Sequence, residues 1–585
     1  MELRRASLLA LALVALGAPP AAAAPLNRPD DPVVVTGAGV PTLTGAAPGR
    51  IAAFAWSGAW QQIPVQVDER KLVDLRSAYP SPFSCGGNSL CFTPFSTPAK
   101  LRYADPGTRI GADPNPALDG DDEIAFMAKD AGSAAAGAAT DPPGVLPGTR
   151  REIVITDPLD GGRGYVYLFR HDGSLDPAAG RSYVTYTFSL ATGPYLTTYK
   201  HAAGSNTETS SVSTPYYSRA FIDRWRESEL RVLRSGASGA DVLDRNENQF
   251  FPDYCGRSRL TFAQGEGAFL ANRSGPVRAI RAFVGANSGP MTEHQQIFYE
   301  GREEDTTFLR VHSIPAVMSF LDYSAAASGM TYRNNNNTGG VTIDGAADTV
   351  AAGPLTWESV DGPQGAVTSV HTWSTTVAAS KFTSFYRDSA SPPSGQAPCQ
   401  GDSGYYGASG PFVNGSIADT NEPTNGGAPD DRLTTTRTLF FGAPGTSSGA
   451  LRRQQVSAPL TTNARPPVTT PPAGPGPAVP PPAPAEPKAP AKPRVKLALK
   501  VRYGRARGCA RRVALLTVAG TGLDRVARAG LRLGSRKLGT DRTRPFRMKV
   551  TRRALHGRGR ARVRVGVRLR GGRLVTLRAR VRGLC

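Results

Sequence analysis

Long apolar runs are scarce in this 585-residue chain. The first follows Arg4-Arg5, covers Leu8 to Leu16, and is too short to anchor stably across a bilayer. With Ala21-Ala22-Ala23 behind it, the pattern reads as a signal peptide over residues 1–23. No Cys follows, which excludes a lipoprotein anchor. The expected product is secreted or associated with the cell envelope. No second apolar stretch approaches membrane length, so a transmembrane segment in the mature chain is not expected. Lysine is also rare: 11 of the 69 basic residues, which leaves 58 Arg and points to a GC-rich genome more than to a function. Acids nearly vanish beyond residue 493. Residues 494–585 carry 29 Lys and Arg against Asp524 and Asp541, a net +27, which leaves −5 of the total +22 for residues 1–493. That asymmetry argues against a specific nucleic-acid protein and for a mildly acidic body with a basic tail. There is no phosphate loop, no dinucleotide fingerprint and no Gly-x-Ser-x-Gly elbow between a strand and a helix. No Cys-x-x-Cys occurs, and no His accompanies the Cys at ligand spacing, which removes the usual zinc patterns.

What is present is strand. Ile51–Trp56 and Trp60–Val67 read as a hairpin, and Ile63, Val65 and Val67 alternate with polar residues and Pro64. Glu152–Thr156, Gly164–Phe169, Tyr183–Phe188, Leu355–Val360, Ala366–Ser374 and Thr434–Phe441 add further runs. Only residues 220–234 look helical, with Phe221, Trp225, Leu230 and Leu233 as a buried stripe. The predicted fold is mainly β: a large antiparallel β-sandwich body joined by a Pro-rich linker to a small immunoglobulin-like β-sandwich. The expected partition is 24–200 and 201–458 for the body, 459–493 for the linker, and 494–585 for the basic tail. Six Cys in an exported chain predict disulfides. Cys85–Cys91 closes a short loop, Cys509 and Cys585 are the pair beyond the linker, and Cys255–Cys399 follows by elimination.

The densest titratable set outside the tail lies between Ser274 and Gly345. Thr292–Glu300 and Thr306–Ile314 flank Gly301–Asp305, read as a five-residue hairpin loop. Symmetric pairing sets Glu300 opposite Thr306, Phe298 opposite Phe308, Gln296 opposite Arg310 and His294 opposite His312. Ile297, Tyr299, Leu309 and Val311 then form the buried face. His294, His312, Arg310 and Glu300 become candidate catalytic residues: His with a carboxylate for proton transfer, Arg for holding a substrate carboxylate. The ordinary alternative is a solvated sheet face. A second candidate is Asp119, Asp121, Asp122 and Glu123, closely spaced carboxylates that suit calcium without forming an EF-hand; an acidic turn is the plainer reading. A third is the aromatics Trp56, Trp60, Trp357, Trp373, Tyr216-Tyr217 and Tyr405-Tyr406, which stack on sugars if exposed and fill the core if buried.

Gln62–Glu69, Asp121–Phe126 and Ser274–Ile280 resemble segments of secreted bacterial β-sandwich proteins, and are loosely similar to β-sandwich domains of polysaccharide-utilisation systems. The tail from Val495 resembles basic immunoglobulin-like modules of other exported proteins. The resemblance implies an exported protein engaging extracellular or cell-wall carbohydrate, a polysaccharide hydrolase or lyase in one reading. A non-catalytic envelope protein is the alternative. The tail would bind anionic envelope polymers.

Overall fold

The computed structural model describes residues 25–73, 100–137, 139–191, 208–249, 268–284, 292–310, 314–375, 381–398, 401–417, 432–465, 496–506, 509–521, 526–533, 536–541, 546–551, 561–569 and 574–581. The chain is mainly β, with multiple antiparallel sheets, as the alternating patterns predict. It divides into two compact units, residues 1–472 and 473–585.

The first unit begins with a small sandwich. Pro32–Thr36, Glu123–Met127 and Gln66–Asp68 form one sheet; Thr461–Arg465, Arg151–Thr156, Arg163–Arg170, Ile51–Trp56 and Trp60–Ile63 form the other. Val33, Val35, Ile51, Ile63, Ile124 and Phe126 are among the alternating residues that fill the space between. The predicted hairpin is present, with Trp56 opposite Trp60, but it stops at Ile63. Pro64 cannot donate to the ladder, and Gln66–Asp68 joins the other sheet. Thr461–Arg465 pairs with Arg151–Thr156, so the body runs to Arg465 and the predicted linker start at 459 is corrected.

The centre is a nine-stranded antiparallel sheet: Ala268–Ser274, Ala279–Val284, Thr292–Phe298, Arg302–Arg310, Arg432–Gly442, Gly365–Thr375, Trp357–Gly362, Thr331–Asn334 and Asn337–Thr342. Two four-stranded sheets pack on one face, touching it through Phe221 beside Phe298 and through Phe382 and Val413 beside Leu309 and Leu433. The other face meets the first sandwich, where Arg278 bonds Asp68, and the two-stranded sheet of Arg70–Val73 and Lys100–Tyr103, where Arg102 bonds Glu293. Residues 220–234 are not helical. They belong to a hairpin of Tyr217–Phe221 and Glu227–Val232, bent by a bulge at Phe221, with Asp223–Trp225 in its turn. Phe221, Trp225 and Leu230 are buried as expected, but Leu233 is exposed. Spacing of apolar residues cannot separate the two structures when a tight turn resets the alternation. Among the described residues the one α-helix is Gly449–Ser457.

The second unit packs two sheets, Lys496–Ala506, Cys509–Thr521 and Arg547–Thr551 in one, and Arg536–Asp541, Val526–Leu533, Ala561–Leu569 and Leu574–Val581 in the other. Val563, Val565 and Val567 alternate into its core with Leu516 and Leu531. Cys85, Cys91, Cys255, Cys399 and Cys585 lie outside the described residues, as does any side-chain contact of Cys509, so the predicted disulfides lie there too.

Candidate functional site

The central hairpin forms, but in another register. Tyr299 donates its N–H to the Arg302 carbonyl at 2.8 Å, so the connection is the two-residue turn Glu300-Gly301 and not a five-residue loop. A Cβ at Gly301 would meet Asp30 Oδ1 at 2.5 Å, so a larger residue there would have to displace the Asp30 side chain. Phe298 pairs with Glu303, Gln296 with Asp305 and His294 with Thr307. The register is offset by an odd number of residues, so the far strand presents its other set of residues. Leu309 shares the His294 face, while position 310 lies on the opposite face with Ile297. Glu300 sits in the turn, buried, as the ion-pair partner of Lys129. His312 lies outside the described residues. His294, Arg310 and Glu300 are therefore not one cluster, and the predicted pairing of His294 with His312 is corrected. Thr292–Phe298 is buried on both faces, and Arg302, Glu304, Thr306 and Phe308 are half-buried, so neither face of the hairpin is the open solvated face that an isolated sheet would show.

The structure assembles a different group on the His294 face. Four adjacent strands align two rows across the sheet: His294, Thr307, Thr435 and Trp373, and beside them Gln296, Asp305, Arg437 and His371. His294 is wedged between Phe283 and Trp225, with ring centroids 4.9 and 5.4 Å away. Its Nδ1 lies 2.9 Å from Thr307 Oγ1 and its Nε2 2.9 Å from Asp305 Oδ1. Arg437 donates to the Ser319 carbonyl at 2.9 Å, and His371 Nε2 lies 3.0 Å from Glu358 Oε1. Glu303 stands two residues before Asp305 on the same face. It is fully buried, makes no hydrogen bond through either oxygen, and has Arg219 Nε at 3.6 Å. Arg219 itself is paired with Glu227, which accepts from Gln296 at 2.7 Å. Burial pushes the Glu303 carboxyl up, and the charge of Asp305 adds to that against Arg219. Burial also pushes Asp305 up, but His294, Arg437 and Arg219 together outweigh burial and leave it below the usual range. Trp373 is the exposed member, 38% accessible, and stacks on Phe382 at 5.2 Å with 13° between the planes.

The five-residue loop expected from the sequence contains both Glu303 and Asp305. The signal that would have found them is the alternation of Arg302 and Glu304 with Glu303 and Asp305 once the turn is shortened to Glu300-Gly301. Of the other aromatics, Tyr217 and Tyr405 are core, and Trp56 and Trp60 pack edge to face with each other over Tyr167.

Asp119, Asp121 and Asp122 each offer an oxygen within 4.8 Å of the others. Glu123 is not among them, because it pairs with Arg70 and Arg278 and accepts from Tyr103. Both Asp122 oxygens accept backbone N–H groups, of Arg70 and Asp119. Asp121 is pushed up to about 6 by its contact with Asp119 and by burial. Asp119 accepts from Asn115 and from the Asp121 N–H, which leaves Asp121 as the carboxyl of the loop that the neighbouring charge disfavours most.

No family model matches the chain, and no curated protein matches it. Solved structures with some likeness include HI1317, at 8% identity and a TM-score of 0.26, covering 44% of this chain and 99% of that one. Another is the family GH92 alpha-mannosidase BT3965 from Bacteroides thetaiotaomicron, at 8% identity and a TM-score of 0.22, covering 47% of this chain and 32% of that one. No helix among the described residues is long and apolar enough to cross a membrane.

Proposed function

We propose that this is an exported protein whose body engages extracellular or cell-wall polysaccharide through the two rows on the nine-stranded sheet. The observation that carries the reading is Trp373, the one exposed Trp of five, in line with hydroxyl, amide and charged side chains on the same face. An aromatic plane beside convergent hydrogen-bonding groups is what a sugar ring needs: apolar C–H faces to stack and hydroxyls to bond. The basic tail is proposed to hold the protein on anionic envelope polymers, since two acids cannot neutralise 29 cations. The test is retention on a panel of purified polysaccharides and cell walls, at low salt and at 0.5 M salt. Trp373→Ala is expected to weaken neutral-polysaccharide retention about tenfold or more, and salt to release the wall-bound fraction. Retention unaffected by Trp373→Ala argues against the site, and salt-insensitive wall binding against the tail.

The acidic loop is proposed as a calcium site on the convergence of its carboxylates, with Asp119 and Asp121 as the ligands whose mutual repulsion a cation would relieve. Millimolar calcium is then expected to raise Tm by a few degrees in the protein and not in Asp121→Asn. Equal shifts in both would sink this assignment.

A further inference from the structure

The second unit places its cations differently on its two sheets. In the four-stranded sheet Ala529, Leu531, Val563, Val565 and Val567 belong to the core, so the residues between them share the outer face. Register sets cation opposite cation there. Arg564 pairs with Arg532 on one side and Arg578 on the other, and Arg532 pairs with Lys537, which makes one basic row across all four strands. Arg562 pairs with Arg580 on one side of that row. On its other side come the pair Gly530–Gly566 and then the pair Arg528–Arg568. Among the described residues of this sheet the one acid is Asp541, which pairs with the core residue Ala529. The three-stranded sheet separates its cations instead. Its central strand sets Thr517 between Lys500 and Arg547, and Leu515 between Arg502 and Lys549.

Like charges directly opposite each other weaken a sheet. Neighbouring strands lie about 4.8 Å apart, within the screening length of about 8 Å at physiological salt, so a row of four cations repels itself in solution. An Arg-rich composition alone gives no reason to stack cations on one sheet and separate them on the other. The described elements of the unit are the seven strands of these two sheets, and none of them lies over the outer face. We infer that the outer face of the four-stranded sheet binds a linear acidic polysaccharide with a carboxylate on each sugar ring, laid across the strands along the row from Lys537 to Arg578. This rests on the reading of the tail as an envelope anchor and gives that reading a face and a polymer. A row with one cation per strand matches a chain with one anion per short repeat. Three of the four residues are Arg, whose planar fork takes both oxygens of a carboxylate. Gly530 and Gly566, side by side next to the row, leave the backbone open to close approach by the rings of such a chain, a common use of glycine inside a strand. A lipid surface reads charge over an area, and would not tell three cations in this row from three on the other sheet.

The test is the affinity of the full chain for polygalacturonate, with hyaluronate, double-stranded DNA and phosphatidylglycerol vesicles as comparisons, at about 0.15 M salt. Hyaluronate carries its carboxylate on every second ring. The triple variant Arg532→Gln, Arg564→Gln, Arg578→Gln removes three charges from the row. The control Lys500→Gln, Arg502→Gln, Lys549→Gln removes three from the other sheet. The row variant is expected to lose about tenfold or more on polygalacturonate, and the control under about threefold. Polygalacturonate is expected to bind about tenfold or more tighter than hyaluronate at equal carboxylate concentration, and the row variant to lose that preference. Because opposed like charges are removed, the row variant should melt no lower than the unaltered protein, which separates lost affinity from lost folding. Equal losses in the two variants, equal binding of the two polysaccharides, or a larger row effect on DNA or vesicles than on polygalacturonate overturns the inference and leaves a tail that anchors by net charge. A row variant that melts lower overturns it too, because the row then holds the sheet together. Absence of binding to all four removes the anchor reading with it.

Discussion

Replacing Arg278 by Met is expected to destabilise the body by about 3–5 kcal/mol, because it strands a buried carboxylate. Arg278 is 1% exposed and lies where the nine-stranded sheet meets the first sandwich. Its Nε donates to Asp68 Oδ2 at 2.8 Å, and its Nη2 to Glu123 Oε2 at 2.8 Å. Gln66 completes the joint: its Oε1 accepts the N–H groups of Val277 and Arg278, and its Nε2 donates to Asp68. Met fills the volume of the aliphatic stem but leaves Asp68 without its cation. Adding Asp68→Asn is expected to recover part of the loss, since the stranded charge is then removed. Denaturant unfolding of the body checks this; a midpoint unchanged by Arg278→Met would show that the joint is not held by these charges. The same cluster carries a pH dependence. Burial pushes Glu123 up, but Arg278 and Arg70 more than offset it and hold its carboxyl below the usual range. Its folded pKa is thus depressed. The stability it contributes is complete above roughly pH 4.3, the unfolded value, and is lost as pH falls through the folded pKa.

Arg28→Ala should cost a similar amount, about 3–5 kcal/mol, through a different joint. Arg28 is 3% exposed and donates to the carbonyls of Gln455 and Ala458, both at 2.7 Å, at the end of the helix Gly449–Ser457. The guanidinium also pairs with Asp31 and lies 3.4 Å from Asp157. It therefore supplies the positive group that a helix C-terminus favours and neutralises two buried acids. Next to it, Asp30 pairs with Arg234 and Arg452, and Asp31 with Arg302. One short segment thus ties the first sandwich, the nine-stranded sheet and the helix together. Arg28→Lys should restore only part of the loss, because one ammonium cannot reproduce the forked geometry of four acceptors. Thermal and denaturant unfolding of both variants measure it. A loss under about 1 kcal/mol for Arg28→Ala, the scale of an exposed pair, would rule out the hub role.

Both joints connect residues that are remote in sequence, and this separates what the chain announces from what it conceals. Strand existence was legible because alternation is local: Ile153 and Ile155, or Val563, Val565 and Val567, need no partner to be recognised. The break between body and tail was legible in composition, since proline-rich sequence and a change of charge sign are read directly. The hairpin at 217–232 was not, because a bulge and a three-residue turn imitate helical spacing.

The candidate site depended on one quantity that sequence states poorly, the length of the turn after Tyr299. A five-residue loop over Gly301–Asp305 and a two-residue turn at Glu300-Gly301 differ in register by an odd number of residues, and the choice moves Thr306–Leu309 to the other face. Tertiary structure made the choice. Asp30 and Arg234 pack against Gly301, Asp31 takes Arg302, and Arg219 and His294 receive Glu303 and Asp305. By itself the sequence determined that this chain is a β protein with an acidic body and a basic tail. Which acids face inward beside His294, and whether Trp373 stays exposed, was decided only when four strands from residues 292–442 came side by side, because cross-strand neighbours are set by register and covering layers rather than by local preference.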